Sequence, residues 1–285
     1  MLAAPLLTKI SRIIYLALVF FLSSNPVSAQ PTIGLQLYSF RKEIPKDVPG
    51  MLAAISNMGF RHIEGGSTYD LSKEVYKELL QKNNLQLISL GAGFEDLATK
   101  LDLIVEKAEF FGAKYVMCSW VPHKGDVFTI EDAEKAVKVF NNAGKILAQR
   151  GIKFVYHAHG YEFQSYQDGT FFDYFMEQLN PEYANFQMDV FWFKHSGQDP
   201  AAYLRKYPGR FLTLHLKDRT KGIKGNVLGR ADVESNVVLG SGDVNIKAVM
   251  QAAKKAGIKY AFIEDESSLS ITQVPQSLKY LAGLK

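Results

Sequence analysis

The stretch Arg150-Gly151-Ile152-Lys153-Phe154-Val155-Tyr156-His157-Ala158-His159-Gly160-Tyr161-Glu162-Phe163 decides how the chain is read. A glycine closes a helical stretch, because glycine tolerates the left-handed conformation that stops a helix. A short apolar run then reads as a buried strand, covered on both faces. Polar residues, including two histidines and a glutamate, stand where that strand ends. The same step recurs at Met58-Gly59-Phe60, Phe111-Gly112-Ala113 and Ala256-Gly257-Ile258. Repetition of helix, glycine and strand predicts alternating β/α units.

Working outward, eight strands are expected at 33–38, 62–64, 85–90, 115–119, 153–157, 186–189, 211–215 and 260–264. Apolar residues three and four apart predict helices between them, for example over 98–111 and 133–149. Strict β–α alternation implies a parallel sheet with right-handed crossovers. Eight strands fit a single closed (β/α)8 TIM barrel better than a doubly wound open sheet, and no glycine-rich dinucleotide loop follows the first strand. The longest irregular stretch, 217–244, follows the seventh strand and is expected on the catalytic face of such a barrel. Gly240-Ser241-Gly242 within it reads as a turn.

The composition, 47% hydrophobic and 22% charged, is that of a globular chain. The net charge of +4 is spread along the sequence, with no basic cluster of the kind that tracks nucleic acid. Lys9 and Arg12 precede the apolar run 13–22, and Val27-Ser28-Ala29 offers a small-residue cleavage site before Gln30. This pattern predicts a signal peptide over 1–29, a domain over 30–285, a periplasmic location and no stable membrane insertion after cleavage. Cys118 is the only cysteine, so no internal disulfide is expected and it reads as a small buried hydrophobe.

In a barrel, the C-terminal strand ends face one mouth. Tyr38, Glu64, Cys118, His157, His159, Asp189, His215 and Glu264 would ring it, with Glu162 just beyond strand five. Imidazoles and carboxylates delivered by separate strands can converge on one divalent ion, and the set suits Mn, Mg, Zn, Co or Fe.

The segment Tyr156-His157-Ala158-His159-Gly160-Tyr161-Glu162-Phe163 resembles the Tyr-His-x-His-x-x-Glu-Phe subgroup of the sugar phosphate isomerase/epimerase family, the xylose isomerase-like barrels. Gly34-Leu35-Gln36-Leu37-Tyr38-Ser39-Phe40-Arg41, Met188-Asp189-Val190, Gly209-Arg210-Phe211 leading to His215-Leu216-Lys217-Asp218, and Gly240-Ser241-Gly242 agree in order and spacing. The resemblance implies one divalent metal held by Glu, Asp, His and Glu. Asp189, His215 and Glu264 match three of these positions. Many members carry a glutamate where this chain has His157, so Glu162 is taken as the fourth ligand, with His157 or His159 as the fallback. The Asp-x-x-His pairing of the family is absent, because Val190, Phe191 and Trp192 follow Asp189; that histidine is either missing or replaced by Trp192 or His195.

The resemblance implies an isomerase or epimerase that abstracts a proton next to the carbonyl of a sugar or keto-sugar. Glu162, Glu264 and Lys217 are the expected catalytic residues. Tyr38, Glu64, Trp120, His157, His159 and Trp192 are the expected contacts to a small carbohydrate substrate. A keto-glycoside lyase and a non-catalytic carbohydrate-binding protein are the alternatives.

Overall fold

The computed structural model describes residues 29–284. The leader expected over 1–29 lies, save for Ala29, outside the described residues. No helix among the described residues is long and apolar enough to cross a membrane.

Eight parallel strands close into a barrel in chain order. They are β1 (Thr32–Gln36), β2 (His62–Gly65), β3 (Gln86–Gly91), β4 (Tyr115–Cys118), β5 (Lys153–His157), β6 (Ala184–Asp189), β7 (Phe211–Leu216) and β8 (Tyr260–Ile263). β1 pairs with both β2 and β8, which leaves no sheet edge. All eight expected strands and the single (β/α)8 TIM barrel are therefore present.

The connecting helices form the outer layer: α1 (Val48–Asn57), α2 (Lys73–Lys82), α3 (Phe94–Thr99), α4 (Leu101–Phe111), α5 (Ile130–Ala148), α6 (Phe171–Gln178), α7 (Val190–His195), α8 (Pro200–Lys206), α9 (Ile246–Ala256) and α10 (Ser270–Gly283). The one helix expected over 98–111 is in fact two. Lys100, with φ −135° and ψ 32°, breaks it between α3 and α4. α5 begins three residues ahead of the expected start, because Thr129 and Asp132 cap it reciprocally. Gly59, Gly112, Gly151 and Gly257 all adopt positive φ at the helix-to-strand steps, as the repeat predicted.

Strand parity sorts side chains into two populations. Outward residues such as Phe154, Tyr156 and Phe186 pack against the helices; the Phe140 ring of α5 lies 5.0 Å from Phe154 and 4.8 Å from Tyr156. Burying each such aromatic contributes on the order of 2 kcal/mol or more. Inward residues form a smaller apolar cluster, Ile88, Tyr115, Met117, Val155 and Phe262. Gly34 is required beside it, since a Cβ there would lie 2.6 Å from the Phe262 ring. Two residues further along the same inward faces the side chains become polar: Gln36, Glu64, His157, Gln187 with Asp189, Thr213 with His215, and Glu264. The parallel register sets Gln36 beside Glu64, His157 beside Gln187 and Asp189 beside His215.

Candidate active site

Gln187 is the hub of a fully buried polar layer. Its Nε2 donates to Glu64 Oε2 at 2.9 Å and to Thr213 Oγ1 at 3.0 Å. Its Oε1 therefore accepts, and it faces His157 Nδ1 at 3.0 Å. His157 must carry its proton on Nδ1, which leaves Nε2 a bare lone pair. Gln36 Nε2 donates to Glu64 Oε1 at 2.7 Å, and His215 Nε2 donates to the same oxygen. His215 is thus oriented by Glu64, with Nδ1 turned the other way.

Four atoms meet above this layer. His157 Nε2 lies 3.7 Å from Asp189 Oδ2. His215 Nδ1 lies 3.9 Å from Asp189 Oδ2 and 3.1 Å from Glu264 Oε2. Asp189 Oδ1 accepts from the N–H groups of Phe191 at 2.8 Å and Trp192 at 3.2 Å, so α7 holds the carboxylate with Oδ2 free. His157 Nε2 and Asp189 Oδ2 are buried and lack any hydrogen-bond partner. Burying polar atoms unpaired costs free energy, so two orphans side by side mark a place for a cation. His157, Asp189 and His215 bring ligand atoms within 4.8 Å of one another, a group that could hold a metal ion. Two imidazole nitrogens and carboxylate oxygens suit a borderline divalent ion.

Burial and neighbouring charge shift the protonation of these groups, so a cation seated here would have to displace the protons that His215 and Asp189 retain. Burial pushes the Asp189 carboxyl up to about 7. Burial, then the neighbouring His215 and His159, hold His157 well below the usual imidazole range. Burial would lower His215 too, but Glu64 and Glu264 outweigh it and raise it to about 10. Burial would raise Glu264, but Lys217 and His215 hold it well below the carboxylate range. Lys217, also buried, stays charged because Glu264 at 3.5 Å and Glu266 offset its desolvation.

His157, His215 and Glu264 line a cavity of about 750 Å³, with the Asp189 carboxylate buried against them. Its walls include Gln36, Tyr38, Trp120, His159, Trp192, Lys217 and Glu266, and the β7 loop contributes Gly229–Val233 and Asn236. That volume lies in the range of small-molecule sites. The profile of the xylose isomerase-like TIM barrel family matches residues 52–284.

The chain belongs to that family.

An inosose dehydratase of Clostridium tetani (strain Massachusetts / E88) is 28% identical to it over 67% of this chain and 72% of its own length. A sugar phosphate isomerase/epimerase from Parabacteroides distasonis superposes with a TM-score of 0.73 at 24% identity, covering 91% of this chain and 97% of that one. The IOLI protein, solved with a bound zinc atom, superposes with a TM-score of 0.70 at 15% identity, covering 88% and 97%. Both structures share the fold.

Within this xylose isomerase-like barrel, Asp189, His215, Glu264, Lys217, His157, His159, Tyr38, Trp120 and Trp192 all reach one mouth. Four expected residues do not. Glu162, expected as a ligand and catalytic residue, sits in the loop past β5 with its carboxylate turned back onto the N–H groups of His159 and Gly160 and onto the Tyr156 hydroxyl. His157, the fallback, occupies the position by the Asp189 carboxylate instead. Glu64, expected to touch substrate, lies beneath His215 and is fully buried. His195 points away from the mouth, its Nδ1 accepting from Arg219 at 3.1 Å, so Trp192 alone takes the place after Asp189. Cys118 is buried, and burial pushes its thiol up to about 12. The Gly240 and Gly242 N–H groups bind the chain's own Asp218 Oδ2, at 2.8 and 3.1 Å, which makes that segment a closed turn. Sequence reading passed over Gln36, Gln187 and Glu266. Parity along β1 and β6 was the available signal for Gln36 and Gln187, whereas Glu266 lies beyond β8, where parity gives none.

Proposed function

We propose that this protein is an exported enzyme that removes a proton next to the carbonyl of a keto-sugar with the aid of a divalent metal, and then expels an oxygen substituent from the adjacent carbon. The observation that carries this reading is the convergence of His157 Nε2, Asp189 Oδ2, His215 Nδ1 and Glu264 against the cavity, with Lys217 and Glu266 beside them. His157, Asp189, His215 and Glu264 would hold the ion. When bound, such an ion supplies Lewis-acid polarisation of a carbonyl oxygen.

The chain's own residues account for the rest. Glu266 lines the cavity beside Lys217, outside the metal group, and is the carboxylate placed to accept a proton. Lys217, held between Glu264 and Glu266, keeps its charge and stabilises negative charge on a substrate oxygen. His159 also lines the cavity and can hydrogen-bond a departing oxygen. Tyr38 and Trp120 present exposed aromatic faces at the mouth, suited to the apolar face of a sugar ring.

The relatives named inosose dehydratase support elimination as the second half of the reaction. Isomerisation is the second reading, because proton removal next to a carbonyl begins both reactions. Product analysis on keto-sugars and their glycosides decides: an unsaturated ketone with released water or alcohol supports elimination, and an isomeric sugar supports the second reading. Sugar binding without turnover under Zn²⁺, Mn²⁺, Co²⁺ or Mg²⁺ would overturn both and make this a carbohydrate-binding protein. Export is tested by sequencing the mature N-terminus, expected at Gln30.

A further inference from the structure

Glu162 is fully buried, ionisable and absent from the metal group, and its surroundings give it a different task. Its carboxylate accepts from the His159 N–H at 3.1 Å and the Gly160 N–H at 2.8 Å. These two amides lie in the turn that aims the His159 ring into the cavity. Gly160 has φ +101°, which only glycine adopts readily, so the turn is not held by ordinary backbone preference.

The other side of the carboxylate ends a one-way chain of hydrogen bonds. The Val121 N–H donates to the Tyr161 hydroxyl at 2.9 Å. Tyr161 then donates to the Tyr156 hydroxyl at 3.0 Å, and Tyr156 donates to Glu162. Each hydroxyl accepts once and donates once, so the direction is set by the amide at one end and the carboxylate at the other. All three side chains are fully buried. Val121 follows Trp120 in the loop after β4. The Trp120 ring packs edge-on against Tyr161 at 5.0 Å and against His159 at 5.7 Å. One buried network thus ties the β4 loop to the β5 loop.

We propose that Glu162, Tyr156 and Tyr161 form a positioning brace that holds His159 and Trp120, from two separate loops, at a fixed separation on one wall of the substrate cavity. The proposal rests on that cavity being the substrate site, but its test needs no turnover. It also assigns Glu162 a role distinct from metal ligation.

The test compares Glu162→Ala, Glu162→Gln and Tyr161→Phe in the purified protein. Zinc content is measured after incubation with Zn²⁺, and amide hydrogen exchange is followed at His159 and Gly160. The protein has only two tryptophans, so a Trp192→Phe background makes acrylamide quenching report Trp120 alone. Glu162→Ala is expected to raise exchange at both amides by about tenfold or more, the factor for losing one or two ordinary hydrogen bonds. Trp120 quenching is expected to rise with it. Tyr161→Phe, which keeps the ring, is expected to raise Trp120 quenching. Glu162→Gln keeps an acceptor for the amides and is expected to restore values near the unsubstituted protein. Zinc content is expected to stay unchanged throughout.

Loss of zinc in both Glu162 variants would overturn the proposal and make Glu162 a ligand. Unchanged exchange and quenching in Glu162→Ala and Tyr161→Phe would also overturn it. So would a loosening that glutamine does not reverse, since that would reflect general loss of packing. Should Glu162→Ala fail to fold, Tyr161→Phe decides alone: unchanged Trp120 quenching refutes the brace.

Discussion

Gln187 determines which nitrogen of His157 carries the proton. Its amide nitrogen is committed to Glu64 and Thr213, so its oxygen must face His157 Nδ1, at 3.0 Å. The bare Nε2 is thereby presented to Asp189. The glutamine touches neither the cavity nor the proposed ion, yet it sets the chemistry of a residue that does. Gln187→Leu leaves the imidazole free to flip its tautomer and is expected to weaken zinc affinity by roughly 10–100-fold, the usual cost of losing a partner that orients a ligand. Titration against a competing chelator measures this; unchanged affinity would show that the tautomer is set elsewhere.

The imidazole content of the group makes a prediction about metal choice. Two neutral nitrogens beside two carboxylates favour Zn²⁺ or Co²⁺ over the harder Mg²⁺. Competition between Zn²⁺ and Mg²⁺ is expected to favour zinc strongly in the native protein. His157→Glu, which adds a third carboxylate, is expected to narrow that preference. A preference that stays the same or widens would place His157 outside the coordination sphere.

Lys217 is a buried cation between two carboxylates. Lys217→Met leaves Glu264 and Glu266 without their counter-charge. Breaking a buried pair from one side costs roughly 3–5 kcal/mol. Urea denaturation is expected to show a loss of that order. Glu266→Gln removes a charge at the cavity wall and is expected to retain metal while losing roughly 10²–10⁴-fold in rate, the range for a general base. Full activity in that variant would move the proton-accepting role to another group.

Stability is expected to depend on pH through Glu162. Burial pushes its carboxyl up to about 7 from an ordinary value of 4.5. The native state thus binds this proton more tightly than the unfolded chain does. The contribution is fully present below about pH 4.5 and is lost as pH rises through about 7, a difference of roughly 3 kcal/mol at most. Glu162→Gln cannot titrate. The difference in urea midpoint between it and the native protein is expected to change between pH 5 and pH 7.5, with the native protein relatively weaker at the higher pH. A constant difference would show that Glu162 is ionised throughout.

Much of this molecule is legible in its amino-acid sequence. Helix-closing glycines and eight apolar runs specify a (β/α)8 barrel because both signals are local: a left-handed stop at Gly59, Gly112, Gly151 and Gly257, and short apolar segments between amphipathic ones. A barrel directs its strand ends to one mouth, so Asp189, His215 and Glu264 could be placed there from their positions at strand ends. Only tertiary structure separates the placement of His157 from that of Glu162. Inward parity along β5 carries Val155 and His157 toward the axis, whereas Glu162 lies beyond the strand, where periodicity no longer constrains direction. Its carboxylate goes where the N–H groups of His159 and Gly160 and the hydroxyl of Tyr156 satisfy it. The roles of Glu64 and Gln187 depended on the same circumstance. A buried polar side chain takes its function from partners that are distant in sequence, such as His215 for Glu64 and His157 for Gln187, and only closure of the barrel brings them into reach.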